Sequence, residues 1–224
     1  MRLAFSIKEV FILISYSFIF GFLFSFARWS IENLLTFSAM SFLVLFFLMS
    51  GQKWMAHRKH MYVSMAFSYW ALFVSLVLCI VSNGSIILPI PPGIILEKHE
   101  HVGKKMQGFR EFAKIGFAGI FVTILFGLLF SQLEALTSIL FYIVFVSLLP
   151  LDFIFRYFEP HSGNLPGTLI FYRSRTLYVF TLIFFLASSL MALSGEVLFT
   201  LFFGLMVGLF GSLYYIIKIE KNFS

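Results

Sequence analysis

The sequence predicts an all-α polytopic membrane protein, with about seven apolar segments and a proline-rich segment near 86–96 that re-enters or returns across the membrane. Three observations carry that prediction. Sixty per cent of the 224 residues are hydrophobic and the mean hydropathy is +0.98, too apolar for a soluble domain. The apolar residues gather into runs that approach or reach the roughly 17–25 residues needed to cross a hydrocarbon core about 30 Å thick as a helix. Asp, Glu, Lys, Arg and His are missing from the middle of every long run. Intramembrane ionisable residues mark ion paths and proton relays, so their absence argues against a pump or an ion-coupled transporter.

The runs, in order, are Val10 to Phe26, Leu34 to Met49, Tyr62 to Val81, Ile115 to Phe130, Leu136 to Leu149, Leu177 to Leu193 and Val197 to Ile217. Several are short for a full span. The first follows Arg2 and Lys8 as a signal peptide would, but no small-x-small cleavage site precedes Arg28, and it reads as a retained signal anchor. All of 1–224 reads as a single integral membrane domain. The lone Cys79 excludes an internal disulfide. A net charge of +6 carried by residues beside the runs suits an anionic membrane face, and no soluble basic domain exists to bind nucleic acid.

Charge parity fixes the expected topology. Simple alternation of seven runs puts five of the sixteen basic residues on one side and eleven on the other. If instead Ile86 to Leu96, with Pro89, Pro91, Pro92 and Gly93, returns or re-enters, parity flips and fifteen basic residues share one side against Arg28 alone. The positive-inside rule favours the second arrangement, with both termini cytoplasmic. Three prolines bar a regular helix there, and irregular backbone at membrane depth must be buried in protein or line a wet cavity. The Asn83-Gly84-Ser85 sequon then lies outside, too close to the membrane for use.

Small residues recur at helical spacing. Gly119, Thr123 and Gly127 form one stripe, and Gly204 and Gly208, with Gly211 a turn on, form another; such faces let helices approach closely, within a chain or between subunits. The 33 phenylalanines fill core and lipid-facing positions, and Trp29, Trp54 and Trp70 fit interfacial anchors.

The polar stretches hold what chemistry the chain can have. His57 and His60 are three apart, on one face if helical; His99 and His101 flank Glu100; His161 follows Pro160. Imidazoles and carboxylates so spaced can bind zinc, but none follows a strong metal motif, and solvated loop histidines are the simpler reading. Asp152 follows Pro150 at the end of an apolar run, where it is either an interfacial acid paired with Arg156 or a contact to a ligand.

From about residue 45 to 180 the order of features resembles the site-2 protease family of intramembrane metalloproteases. Lys53-Trp54-Met55-Ala56-His57-Arg58 is similar to the family's segment after its His-Glu-x-x-His zinc motif, which aligns that motif with Leu48-Met49-Ser50-Gly51-Gln52. Pro91-Pro92-Gly93 stands where the family has an apolar Pro-Gly stretch, and Ala118-Gly119 with Thr123 resembles its Ala-Gly-Pro-x-x-Asn segment. Ser147-Leu148-Leu149-Pro150-Leu151-Asp152 resembles Asn-Leu-Leu-Pro followed by Leu-Asp-Gly, whose aspartate is the third zinc ligand, at shorter spacing and with Phe153 for the glycine. The resemblance implies a degenerate relative: Leu48, Met49 and Gln52 replace both histidines and the glutamate, Asp152 alone is no metal site, and no catalytic residue or cofactor is expected.

The expected function is therefore non-catalytic. A pseudoprotease-like binding or scaffold subunit would sit in the bilayer with another membrane protein or a transmembrane peptide in its groove. Two alternatives stay open at this point. One is an active intramembrane zinc metalloprotease with displaced ligands among His57, His60, His99, His101 and Asp152. The other is a carrier for a small neutral solute, although no inverted repeat relates the halves.

Overall fold

Serine side chains open the first three α-helices. In the computed structural model, which describes residues 5–98, 108–130, 133–159, 161, 163–192 and 197–218, Ser6 caps α1 (Ile7–Ser25), Ser30 caps α2 (Ile31–Arg58) and Ser68 caps α3 (Tyr69–Val81). Each hydroxyl accepts a backbone N–H of the first turn, and at α1 the Glu9 carboxylate completes a capping box by accepting the Ser6 N–H at 2.7 Å. Further along lie α4 (Gly108–Leu129), α5 (Glu134–Leu148), the short α6 (Asp152–Phe158) and α7 (Pro166–Arg173), then α8 (Arg175–Ala192) and α9 (Val197–Lys218). Among the described residues two strands, β1 (Met61–Ala66) and β2 (Gly93–Lys98), interrupt the helices and pair antiparallel.

Among the described residues four helices are long and apolar enough to cross a membrane: Ile7–Arg28, Ile31–Arg58, Glu111–Leu129 and Leu198–Lys218. Three of the seven expected segments fall short, since Tyr69–Val81, Glu134–Leu148 and Arg175–Leu190 are apolar but shorter helices. The run from Tyr62 to Val81 is not one element. Its first residues form β1, where Met61, Val63 and Met65 are buried and Tyr62 is exposed, and the helix begins only after the Ser68 cap. Alternating burial of this kind is what a strand with one covered face produces.

The proline-rich stretch is non-helical, as the three prolines require. Residues 86–92 run without regular structure, Pro89, Pro91 and Pro92 are buried, and the chain then enters β2. The register pairs Ala66 with Gly93 and Met61 with Lys98, so the chain from 61 to 98 leaves one end of the molecule and comes back to it. At that end Lys59, just past α2, bonds Glu111 in the first turns of α4 at 2.9 Å. The turn at Asn83 and Gly84 lies at the other end, where Gly84 packs beside Phe26 and Ala27.

The core lies between α1, α2, α4 and α5, with Tyr16, Phe20, Leu45, Leu48, Met49 and Ile115 almost wholly buried. Both glycine stripes are used within the chain. Gly119 meets Leu48 and Gln52 of α2, Gly127 meets Leu140 of α5, and Thr123 turns its hydroxyl back to the Gly119 carbonyl at 2.8 Å. Gly204, Gly208 and Gly211 seat Phe184, Phe180 and Ile183, closing α8 and α9 into a hairpin. The outer face of α9, including Phe202, Phe210 and Ile217, is exposed, as a lipid-facing helix would be.

One buried ion pair ties the first two helices. Lys53 Nζ is 2.8 Å from Glu9 Oε2, both side chains are at most 5% exposed, and the Phe5 ring covers the ammonium at 4.6 Å. Both residues stand just beyond the charge-free stretches, so the pair respects the rule that keeps charge out of mid-membrane.

Candidate peptide-binding cleft

The chain between α6 and α7 is fastened at both ends and touches β2 in between. At its start the Glu159 carboxylate accepts the Ser68 hydroxyl at 2.7 Å, the Tyr69 N–H at 3.1 Å and the Trp70 N–H at 3.4 Å. It thus caps α3 from ninety residues away, where the helix dipole favours a negative charge. Ser68 is fixed in turn by its N–H, which donates to the Tyr16 hydroxyl at 3.0 Å.

At the other end Asp152 does the corresponding work. Its side chain is buried, accepts the Thr168 hydroxyl, and lies 3.4 Å from the Leu165 N–H at the start of α7. Pro150 ends α5 two residues earlier, which frees the chain to turn and present this carboxylate to the N-terminus of α7. Gly167 lies so close to the Leu148 carbonyl that a methyl group there would overlap it, so α7 and the end of α5 form one unit.

Between these fasteners Asn164 pairs with β2. The Ile94 N–H donates to the Asn164 carbonyl at 2.9 Å and the Asn164 N–H donates to the Ile94 carbonyl at 2.8 Å. Both main-chain groups of Ile94 therefore face away from β1. Alternation along an antiparallel strand turns the N–H and C=O of Leu96 the same way. Gly163, at a φ of +77° that favours glycine, crosses over Gly93 and Ala66, so the arm meets the edge at Asn164 and leaves it. Among the described residues nothing bonds the outward main-chain groups of Leu96.

In front of that edge is a cleft of about 600 Å³. Its floor is β2 from Ile94 to Leu96, and Phe112 and Leu169 make it apolar. Asn164, Thr168, Tyr172 and Arg173 supply polar groups on the α7 side, with the exposed His161 at the rim. The Arg173 guanidinium stands 5.8 Å from the centre of the Phe112 ring. An exposed strand edge beside an apolar cleft is the geometry that takes up an extended peptide by strand addition.

The residues singled out in the sequence separate into different places. Pro91, Gly93 and Asp152 come together, lining a void of about 10 Å³ that has room for one water at most. Leu48, Met49 and Gln52 are in the core instead, each at most 1% exposed. Gly51 packs on the Ala118 carbonyl and Gly119, and Gln52 on Gly119, so α4 fills the place beside this part of α2. Neither polar atom of the Gln52 amide has a partner among the described residues.

The histidines among the described residues do not converge. His57 is exposed in the last turn of α2, whereas His60 lies past its end with a φ of +53°, so the two do not share the helical face that their spacing allowed. His99 and His101 lie outside the described residues. Among the described residues no group of three His, Cys, Asp or Glu side chains is placed to hold a metal ion. The Arg156 side chain, the expected partner of Asp152, is likewise outside them; the partners seen for Asp152 are Thr168 on α7 and Leu165 just before it.

Sequence reasoning missed the strand edge, the Glu159 cap and the Glu9–Lys53 pair. The alternation in Met61-Tyr62-Val63-Ser64-Met65 is the signal for β1, masked by the apolar run it enters. Nothing local in the sequence ties Glu159 to Ser68. Comparison with protein-family models, with curated proteins and with solved structures finds no match for this chain.

Proposed function

We propose that this chain is a non-catalytic membrane protein that holds an extended segment of another membrane protein along the outer edge of β2. The observation that carries this reading is the Ile94–Asn164 pairing, which fixes the direction of the main-chain groups and leaves those of Leu96 facing the cleft. Main-chain bonds at such an edge give affinity regardless of sequence, and side-chain pockets give selectivity. On this reading the likeness to site-2 proteases is that of a degenerate member. Leu48 and Met49 can neither bind zinc nor relay a proton, and Asp152 serves as a helix cap.

The placement of Lys59, Lys98 and Glu111 at one end and Arg28 with Asn83 at the other supports the topology with both termini cytoplasmic and the hairpin 61–98 inserted from that side. The bilayer is then the solvent of α9 and its neighbours, and the cleft opens near the cytoplasmic interface.

The test uses the protein in mild detergent and a fluorescent, end-blocked peptide, Val-Thr-Val-Asp-Val-Thr-Val, read by anisotropy. Leu96→Pro removes an N–H that points to the cleft and not to β1, so the hairpin is kept. We expect it to weaken binding about tenfold, the effect of losing one main-chain bond with its geometry. Equal binding by parent and variant contradicts the reading.

A further inference from the structure

We propose that the segment held in the cleft carries an acidic side chain, Asp or Glu, at the position facing α7, with apolar residues on its other face. The proposal rests on strand addition at β2 and specifies what that strand must be.

The walls of the cleft differ in chemistry. Ile94, Leu96, Phe112 and Leu169 form an apolar floor. On the α7 side every described lining residue able to carry charge is basic: Arg173 on the last turn and His161 on the incoming arm, with no carboxylate among the described residues that line the cleft. Thr168 and Tyr172 are four apart on α7, so they stand on one face a turn from each other; the buried Thr168 hydroxyl is held by Asp152, and the exposed Tyr172 lines the wall beside Arg173. A strand laid on the edge alternates its side chains. One set would meet the floor and the other would meet this basic, hydroxyl-bearing wall.

Arginine makes the wall selective for carboxylate over a merely polar group. Its guanidinium presents five N–H donors in a planar fork that matches two carboxylate oxygens, so it has donors to add a ligand to its existing neighbours. The ring of Phe112 beside it, 5.8 Å from centroid to guanidinium, removes water from one side and strengthens the attraction to an anion. A lysine on the incoming strand would meet like charge and be rejected, which is selectivity by repulsion as well as attraction.

The experiment compares end-blocked Val-Thr-Val-Xaa-Val-Thr-Val peptides with Asp, Asn or Lys at Xaa, on the full chain in mild detergent. The Asp peptide should bind about tenfold more tightly than the Asn peptide and more tightly still than the Lys peptide. The preference should shrink as salt is raised. Arg173→Gln should bring the Asp and Asn peptides to within about twofold of each other, while Arg173→Lys should keep part of the difference.

Three outcomes overturn the proposal, each in its own way. If all three peptides bind equally and all are weakened by Leu96→Pro, strand addition survives and the acidic preference does not. If an Asn peptide with a free C-terminus gains as much as the Asp peptide, the wall reads a chain terminus and not a side chain. If Leu96→Pro changes none of them, strand addition itself fails and the acidic preference fails with it.

Discussion

Lys53→Met should lower the stability of the protein by about 3–5 kcal/mol, the cost of breaking a buried ion pair from one side. The ammonium is 2.8 Å from Glu9 Oε2, and both side chains are almost completely shielded from solvent. Removing it leaves the buried carboxylate with only the Ser6 N–H of the capping box, and Glu9 Oε1 already lacks a partner among the described residues. The cost arises from the orphaned charge more than from the lost attraction. The double variant Glu9→Leu, Lys53→Met should therefore recover part of the loss, because no uncompensated charge remains, less the contribution of the Glu9 carboxylate to the α1 capping box. Thermal unfolding in detergent reads both. A single variant as stable as the parent, or a double variant no better than the single, would show that the pair does not hold α1 on α2.

Asp152→Ala should cost about 2–4 kcal/mol, from a charge-assisted hydrogen bond to Thr168 and a cap on the first turn of α7. Thr168→Val should reproduce part of it, since the buried carboxylate would then lack its hydroxyl donor. What separates this account from a metal-binding role is the response to chelator. A helix cap is indifferent to zinc and to EDTA, so the melting temperature of the parent should not move with either, and that of Asp152→Ala should be lowered by the same amount in both. A metal ligand would give the parent a transition that falls on chelation and the variant none.

The long helices were legible because length and charge exclusion set them. Residues 10–26, 34–49, 115–130 and 197–217 fall inside α1, α2, α4 and α9 with little more than end adjustments, since a run of apolar residues bounded by charge admits few structures in a bilayer. The non-helical stretch at 86–92 was equally plain from Pro89, Pro91 and Pro92. The strand at Met61 was not, because the five alternating residues Met61 to Met65 at the head of a longer apolar run read as helix until the Ser68 cap is recognised as a start. Asp152 stood out as unusual from Pro150 alone, but its partner is sixteen residues away on a separate helix. Glu159 and Ser68 are ninety-one apart, and only the fold brings them together.

The cleft was the least legible feature, for a physical reason. A strand edge is made of main-chain groups, and every sequence has those. Only the pairing of Ile94 with Asn164 and the turn at Gly163 determine which groups of β2 face outward. Pro89, Pro91 and Pro92 require irregular backbone that is buried or lines a cavity, but they do not say which main-chain atoms of β2 face outward.

On the proposed reading, packing at Leu48, Met49 and Gln52 and a cap at Asp152 stand where a metalloprotease would hold zinc. Metal stoichiometry on protein purified in mild detergent without chelator tests it most directly, with His57→Ala, His60→Ala measured alongside. Zinc far below one per chain is expected in both preparations. About one zinc per chain, lost in the double variant, would contradict it and make these histidines ligands of a working site.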